Sequence, residues 1–128
     1  MVVISQMLGW GYVFEKPLRI VVADGRAKEV NGDAEDVARL TRLISTDENA
    51  ANFPAEFAFG TSHLVQKGLR GMREDGGRTG TLHVAFGRND TIHGAIYSRI
   101  HIDGLITGAT VELDGTMIMK DGQLLGDL

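Results

Sequence analysis

Residues 79–87, with the sequence TGTLHVAFG, decide how the second half of this chain folds. Apolar residues alternate with small or polar ones, and Gly87 closes the run, a pattern typical of a β-strand that ends in a turn. His83 lies in the middle of this strand between apolar neighbours. Because a polar group among apolar residues is costly without a partner, its imidazole is expected to meet a hydrogen-bonding group or a metal ion.

A second short strand is predicted at residues 98–102, and His101 and Asp103 lie at its end. Residues i and i+2 of a strand project from the same face, so this imidazole and this carboxylate point into one space. Together with His83 they make a set of two histidines and one carboxylate. Such a set binds a divalent metal and leaves coordination positions open for water or substrate.

Glu56 is a carboxylate inside the apolar segment at residues 53–60. Burial of an unpaired carboxylate is costly, so Glu56 is expected to meet a cation or a hydrogen-bond donor. Simpler interpretations of each residue stay open at this point. His83 can be a core histidine with a hydrogen-bond partner, Glu56 can pair with an arginine, and His101 with Asp103 can be a surface pair.

The remaining segments predict an α+β fold. Asp24-Gly25 and Asp114-Gly115 are turn signals that predict two hairpins, with strands at residues 18–22 and 26–30 and at residues 109–113 and 116–119. An amphipathic pattern that follows Asp33 predicts one helix at about residues 33–45. Seventeen glycines against two prolines favour many short strands, antiparallel or mixed, with room for a second short helix. Residues 1–13 are expected to be irregular or an edge segment of a single domain that spans residues 1–128.

Composition narrows the kinds of function. The chain has no cysteine, which excludes disulfides and thiolate metal sites, so the expected ligands suit zinc, cobalt, manganese or ferrous iron. A formal net charge of −4 argues against nucleic acid or an anionic membrane as the partner. No apolar run approaches the roughly 20 residues that span a bilayer. The expected protein is cytoplasmic, and its exposed strand edges favour a homo-oligomer.

Five segments, in the same order, resemble the C-terminal part of the aminopeptidase T family of metallo-aminopeptidases. The chain is also similar to the relatives of that family that include ring-cleaving dihydroxypyridine dioxygenases. The resemblance begins at about Phe14 and covers roughly nine-tenths of the chain. The segments are residues 17–32, residues 55–61 (AEFAFGT), residues 80–87 (GTLHVAFG), residues 100–103 (IHID) and residues 113–122.

The resemblance implies a hydrolase that releases amino-terminal residues from peptides with a divalent metal. The implied metal ligands are Glu56, His83, His101 and Asp103, and the implied catalytic residues are Glu74 and Tyr97, with Asp75 as the alternative to Glu74. The family's upstream Asn-x-Pro-x-Gly-Glu motif has no counterpart in this sequence. The resemblance therefore implies a two-metal site that is incomplete on its own.

Two alternatives remain open. The dioxygenase relatives imply a single ferrous ion held by His63, His101 and Asp103, with a weaker contribution from His83, and a small aromatic substrate. The other alternative is a non-catalytic module that binds a metal or mediates oligomerisation, because likeness of fold does not establish function.

Overall fold

The computed structural model describes residues 1–65 and 68–126. One α-helix, α1, spans Ala34–Ile44, and two short 3₁₀ helices span Arg73–Gly77 and Asp90–Ile92. The strands of the described residues are β1 Val2–Ile4, β2 Gln6–Met7, β3 Leu18–Ala23, β4 Arg26–Asn31, β5 Phe57–Phe59, β6 Thr81–Gly87, β7 His101–Thr107, β8 Val111–Leu113, β9 Thr116–Lys120 and β10 Gln123–Leu124.

The strands form three sheets, with the orders β1-β3-β4, β2-β7-β6-β5 and β10-β9-β8. All of these strand pairs are antiparallel. The α+β prediction is therefore confirmed, and the long β6–β7 pair forms the centre of the four-stranded sheet.

The helix and both hairpins form where their local signals predict them. The Asp33 side chain accepts a hydrogen bond from the Glu35 backbone at 3.0 Å and so satisfies a free N–H of the first turn of α1. Asp24 and Asp114 adopt positive φ angles of 52° and 49° at the two hairpin turns. Aspartate tolerates this conformation better than most residues because its short side chain can hydrogen-bond locally.

One core joins the first sheet, α1 and one face of the four-stranded sheet. Val84 and Phe86 present this inner face, and Phe86 packs on Phe53 with ring centroids 4.3 Å apart. Because side chains alternate along a strand, His83 and Ala85 project from the opposite face. The site described below lies on that opposite face.

The strand predicted at residues 98–102 is placed differently in the structure, since β7 begins at His101 and continues to Thr107. Asp47 explains the later start: it accepts hydrogen bonds from the Ser98 hydroxyl at 2.9 Å and the Arg99 backbone at 2.8 Å. These contacts hold the two residues in a loop conformation. Residues 1–13, expected to be irregular or an edge, contribute the edge strands β1 and β2 before an irregular stretch.

Within the described residues, the helices are too short and too polar to cross a membrane.

Candidate metal centre

The register of β6 and β7 brings the predicted ligands onto one face of the sheet. Asp103 pairs with Ala85, and His101 pairs with Gly87. Directly opposed residues share a face, so His83 lies on the same face, two residues before Ala85. The Ala85 backbone also donates to the Glu56 carbonyl at 3.0 Å, which places Glu56 across from Ala85 on the other side of β6. Four residues predicted from the sequence therefore converge around the small side chain of Ala85.

The Glu56 carboxylate lies between the two histidines. Its Oε1 is 3.3 Å from Nε2 of His83, and its Oε2 is 3.2 Å from Nε2 of His101. Nε2 of His101 is also 3.3 Å from Oδ1 of Asp103. One ligand atom from each of Glu56, His101 and Asp103 lies within 4.8 Å of the other two.

A backbone carbonyl fixes the orientation of the His101 ring. Nδ1 of His101 donates to the carbonyl oxygen of Arg88 at 2.7 Å, so Nδ1 carries a hydrogen. In the neutral imidazole the lone pair then lies on Nε2, and it faces the carboxylate oxygens of Glu56 and Asp103. Three electron-rich atoms at this spacing repel one another unless a cation lies between them. A carbonyl behind a metal-binding histidine is the usual outer support of such a ligand.

The donor set fits a divalent metal. Asp103 Oδ1 is buried and receives no hydrogen bond from the described residues, because its contact with His101 lacks hydrogen-bond geometry. Two ligands about 2.1 Å from one ion are roughly 3.0–3.4 Å apart, which matches the observed separations. About a quarter of each side chain is exposed, at 23% for Glu56, 25% for His101 and 27% for Asp103, so an ion can enter from solvent.

Arg88, whose carbonyl oxygen holds the His101 ring, has its guanidinium paired elsewhere. The guanidinium of Arg88 donates to both carboxylate oxygens of Asp90, at 2.8 and 2.6 Å. Hydrogen bonding to Arg88 lowers the pKa of Asp90 below its usual value and holds this pair in its ionised form. The contacts of Glu56 and Asp103 that define the centre are with histidines, so the centre keeps a negative charge that attracts a cation.

The other predicted site residues lie outside this group. His63 is on an exposed turn, and it is not among the described residues whose ligand atoms cluster. Glu74 is half exposed on the 3₁₀ helix and contacts Arg70 at 3.4 Å. Tyr97 is 64% exposed in the loop between β6 and β7, where the Arg88 guanidinium lies 5.0 Å from its ring centroid. No contact joins Glu74 or Tyr97 to the four convergent residues among the described interactions.

Gln6 and Asp75 form a buried polar pair beside the centre; the sequence reasoning named Asp75 only as the alternative to Glu74 and missed both Gln6 and the pairing. Asp75, 1% exposed, accepts hydrogen bonds from Gln6 Nε2 at 2.7 Å and from the backbone of Arg70 and Met72 at 2.8 and 3.0 Å. Burial raises the pKa of Asp75, but these hydrogen bonds outweigh it, and the pKa is lower than usual. The available signal was Gln6 itself, a polar residue within the apolar opening segment.

Comparisons with known proteins show a protein of similar fold but do not assign the chain to a family. No protein-family model matches the chain, and the curated proteins provide no match. Among solved structures, 2,5-dihydroxypyridine dioxygenase from Pseudomonas putida KT2440 is similar, with a TM-score of 0.78 and 15% sequence identity. The similarity covers 95% of this chain and 38% of that chain, so this chain spans under two-fifths of the dioxygenase. At this identity the match shows that the two share a fold.

Proposed function

We propose that this chain is the metal-binding part of an iron-dependent enzyme that opens hydroxylated aromatic rings with dioxygen. The observation that carries the metal site is the His101 ring, whose Nε2 is aimed at two carboxylates while Arg88 holds its other nitrogen. The likeness of fold to 2,5-dihydroxypyridine dioxygenase supports the oxygenase class.

Glu56, His101 and Asp103 would hold the ion, with His83 at the side of Glu56. A set of carboxylates and imidazole suits ferrous iron, manganese or zinc, and an incomplete shell leaves positions for substrate. Bound ferrous iron would supply the one-electron chemistry that ground-state dioxygen requires. Ala85 would leave room for an ion, because a methyl group is the only side chain between Glu56 and Asp103 across the strands.

A two-metal hydrolase of the aminopeptidase type is the second candidate, and the position of Glu56 favours it. Each carboxylate oxygen of Glu56 faces the Nε2 of a different histidine, at 3.3 and 3.2 Å. A carboxylate in this position can bridge two ions, as in two-metal hydrolytic sites. The substrate in that case would be a short peptide.

Metal titration separates these candidates. Protein purified without chelator or nickel would be titrated under argon with ferrous iron, and separately with zinc and cobalt, with calorimetry and elemental analysis as readouts. One equivalent of iron, followed by dioxygen uptake with a dihydroxypyridine, would support the proposal. Two equivalents of zinc or cobalt, with amino-acid release from a dipeptide, would favour the hydrolase and overturn the oxygenase.

The matched variants for this titration are His101→Asn and His93→Asn. His93 lies on an exposed turn with a φ angle of 68°, a conformation that asparagine also tolerates. We expect His101→Asn to lose the metal and His93→Asn to bind it normally. Equal binding by both variants, or no binding by the wild-type protein, would remove the basis of the metal centre.

A further inference from the structure

Strand β5 is an open edge of the four-stranded sheet, because β6 is its only neighbour among the strands that the structure describes. The Glu56 carbonyl accepts a backbone hydrogen bond from β6 at 3.0 Å, and the Gly60 N–H donates one to β6 at 2.9 Å. Alternate residues of an antiparallel strand bond to the same neighbour, so Ala58, midway between them, also bonds to β6. The N–H and C=O groups of Phe57 and Phe59 therefore point away from the sheet.

The two phenylalanines of β5 leave this edge apolar and without a backbone partner. Their rings pack edge to face with centroids 5.4 Å apart, and Phe57 is 50% exposed although it pairs with Val84 of the core. None of the hydrogen bonds within residues 1–65 and 68–126 uses the backbone groups that Phe57 and Phe59 turn outward. An unpaired edge with exposed apolar side chains is a surface on which another strand can pair.

The sequence of β5 suits pairing with a second copy of itself. Its residues Phe57-Ala58-Phe59 read the same in both directions. Antiparallel pairing about a two-fold axis at Ala58 sets Phe57 opposite Phe59 of the second copy, and Phe59 opposite its Phe57. Each of these pairs can exchange both backbone hydrogen bonds, and aromatic side chains directly opposite one another attract. At the axis Ala58 meets its own copy, where two methyl groups fit the close spacing of a non-hydrogen-bonded pair.

The charge along this edge also favours a second copy, because a two-fold axis brings a charged residue of the edge close to its own copy. Residues 53–62 contain one charged side chain, Glu56, and its carboxylate faces the two histidines of the metal centre at 3.3 and 3.2 Å. Strand β4, at the end of the first sheet, carries charges at Arg26, Lys28 and Glu29 instead. Charged edge strands resist pairing with another chain, and β5 lacks this protection.

We propose that this chain forms a homodimer in which the β5 strands of two copies pair antiparallel around Ala58 and join two four-stranded sheets into one. The two-fold axis is perpendicular to the joined sheet, so both metal centres lie on the same face of it. Pairing consumes the open edge of β5 in both copies, so the assembly closes as a dimer and does not grow into a filament. The dimer does not depend on a bound metal ion.

The length of β5 sets the strength of this dimer. Burial of the exposed half of Phe57 removes about 100 Å² from water in each copy, since a phenylalanine buries about 150–250 Å² in full. With three residues in the strand, the interface stays below about 1,200 Å² in total, the size of weak and transient complexes. We therefore expect a dimer that dissociates on dilution, and sedimentation over a range of concentrations measures its dissociation constant.

A cysteine at Ala58 tests the register directly, because the chain has no cysteine of its own. Opposed residues of a non-hydrogen-bonded pair have α-carbons about 4.5 Å apart, within the range of about 4.4–6.8 Å that a disulfide spans. Oxidation of metal-free Ala58→Cys should therefore give a covalent dimer. The matched control is Leu113→Cys, at a residue that is 61% exposed on β8, an edge of the third sheet. It should cross-link about tenfold more slowly or less, since pairing raises the effective concentration of the thiols only at Ala58. Equal rates, or no cross-link in Ala58→Cys, would overturn the proposal.

Two variants of Phe59 separate the backbone pairing from the aromatic contact. Phe59→Ala removes the ring, and Phe59→Pro removes both the ring and the N–H that points away from β6. Proline is tolerated on the open side of an edge strand, so the monomer should fold. Loss of a hydrogen bond on each side of the axis should make the Phe59→Pro dimer on the order of tenfold weaker than the Phe59→Ala dimer. Equal dissociation constants, with unchanged thermal unfolding, would show that the dimer does not use this edge. A wild-type protein that stays monomeric would leave the edge to a strand of a different chain and refute pairing with a second copy.

Discussion

Replacement of Asp103 by asparagine should make the metal-free protein more stable while it abolishes metal binding. Without an ion, Glu56 and Asp103 place two negative charges around one imidazole nitrogen, with ligand oxygens no more than 4.8 Å apart. At that distance the repulsion is about 0.9 kcal/mol with the dielectric of water and about 3.5 kcal/mol with an effective dielectric of 20. Since the side chains are partly exposed, we expect a gain of about 1–2 kcal/mol from Asp103→Asn.

Thermal unfolding of metal-free protein measures this gain. For a chain of this length, about 1–2 kcal/mol corresponds to a rise in Tm of about 3–10 °C. Wild-type protein should in turn gain stability when metal is added, by about 2.7 kcal/mol at one hundred times Kd, and Asp103→Asn should not respond. The wild-type protein with metal would then equal or exceed the variant.

The control for this prediction is Asp24→Asn. It makes the same chemical change at a side chain that is 89% exposed. Asp24 forms an ion pair with Lys28 at 3.8 Å, and an exposed pair of this kind contributes little to stability. The effect of Asp24→Asn on Tm should be small in the presence or absence of metal. If Asp103→Asn instead lowers the Tm of the metal-free protein and keeps the response to metal, Asp103 is a structural hydrogen-bond acceptor and the electrostatic argument fails.

Two further predictions concern residues around the centre. Ala85→Leu should abolish metal binding while the chain still folds, because the larger side chain enters the space between Glu56 and Asp103. A calorimetric titration measures the metal affinity. Full affinity in the variant would contradict the site geometry. The lowered pKa of Asp75 stabilises the fold above its usual pKa of about 3.9, and this contribution is lost as pH falls through the lowered pKa. Asp75→Asn should therefore flatten the dependence of Tm on pH below about 4. If Tm of the variant falls below about pH 4 as steeply as Tm of the wild-type protein, the Asp75 carboxylate does not stabilise the fold in this way.

The ligands that share a strand could be predicted from the sequence, because alternation along a strand fixes which side chains share a face. His101 and Asp103 are two residues apart, and this spacing alone predicts that they point into one space. The placement of β6, β7 and Glu56 side by side depends on strand pairing between segments that are distant in the sequence. Local pattern does not specify that pairing, so the four-residue group rested on the resemblance to a family.

The hydrogen bond between Gln6 and Asp75 could not be predicted from local sequence patterns. Strand β2 has only two residues, too few to show a period, and its partner in β7 lies about one hundred positions further along the chain. The 3₁₀ helix that carries Asp75 contains two acidic residues and two glycines, a composition typical of an exposed turn. The burial of Asp75 is a consequence of tertiary contacts, which override local propensity.

The loop between β6 and β7 can change in length without disturbing the metal centre. The Arg88 backbone donates to the Ile100 carbonyl at 2.8 Å, so the ends of the loop are joined to each other next to His101. Residues 90–95 at its tip are exposed. An insertion at the tip adds only a slowly growing loop entropy, whereas one extra residue inside β7 turns every following side chain to the other face. Related proteins are therefore free to differ here in length, and a recognition loop or a reporter peptide can be grafted beside the centre.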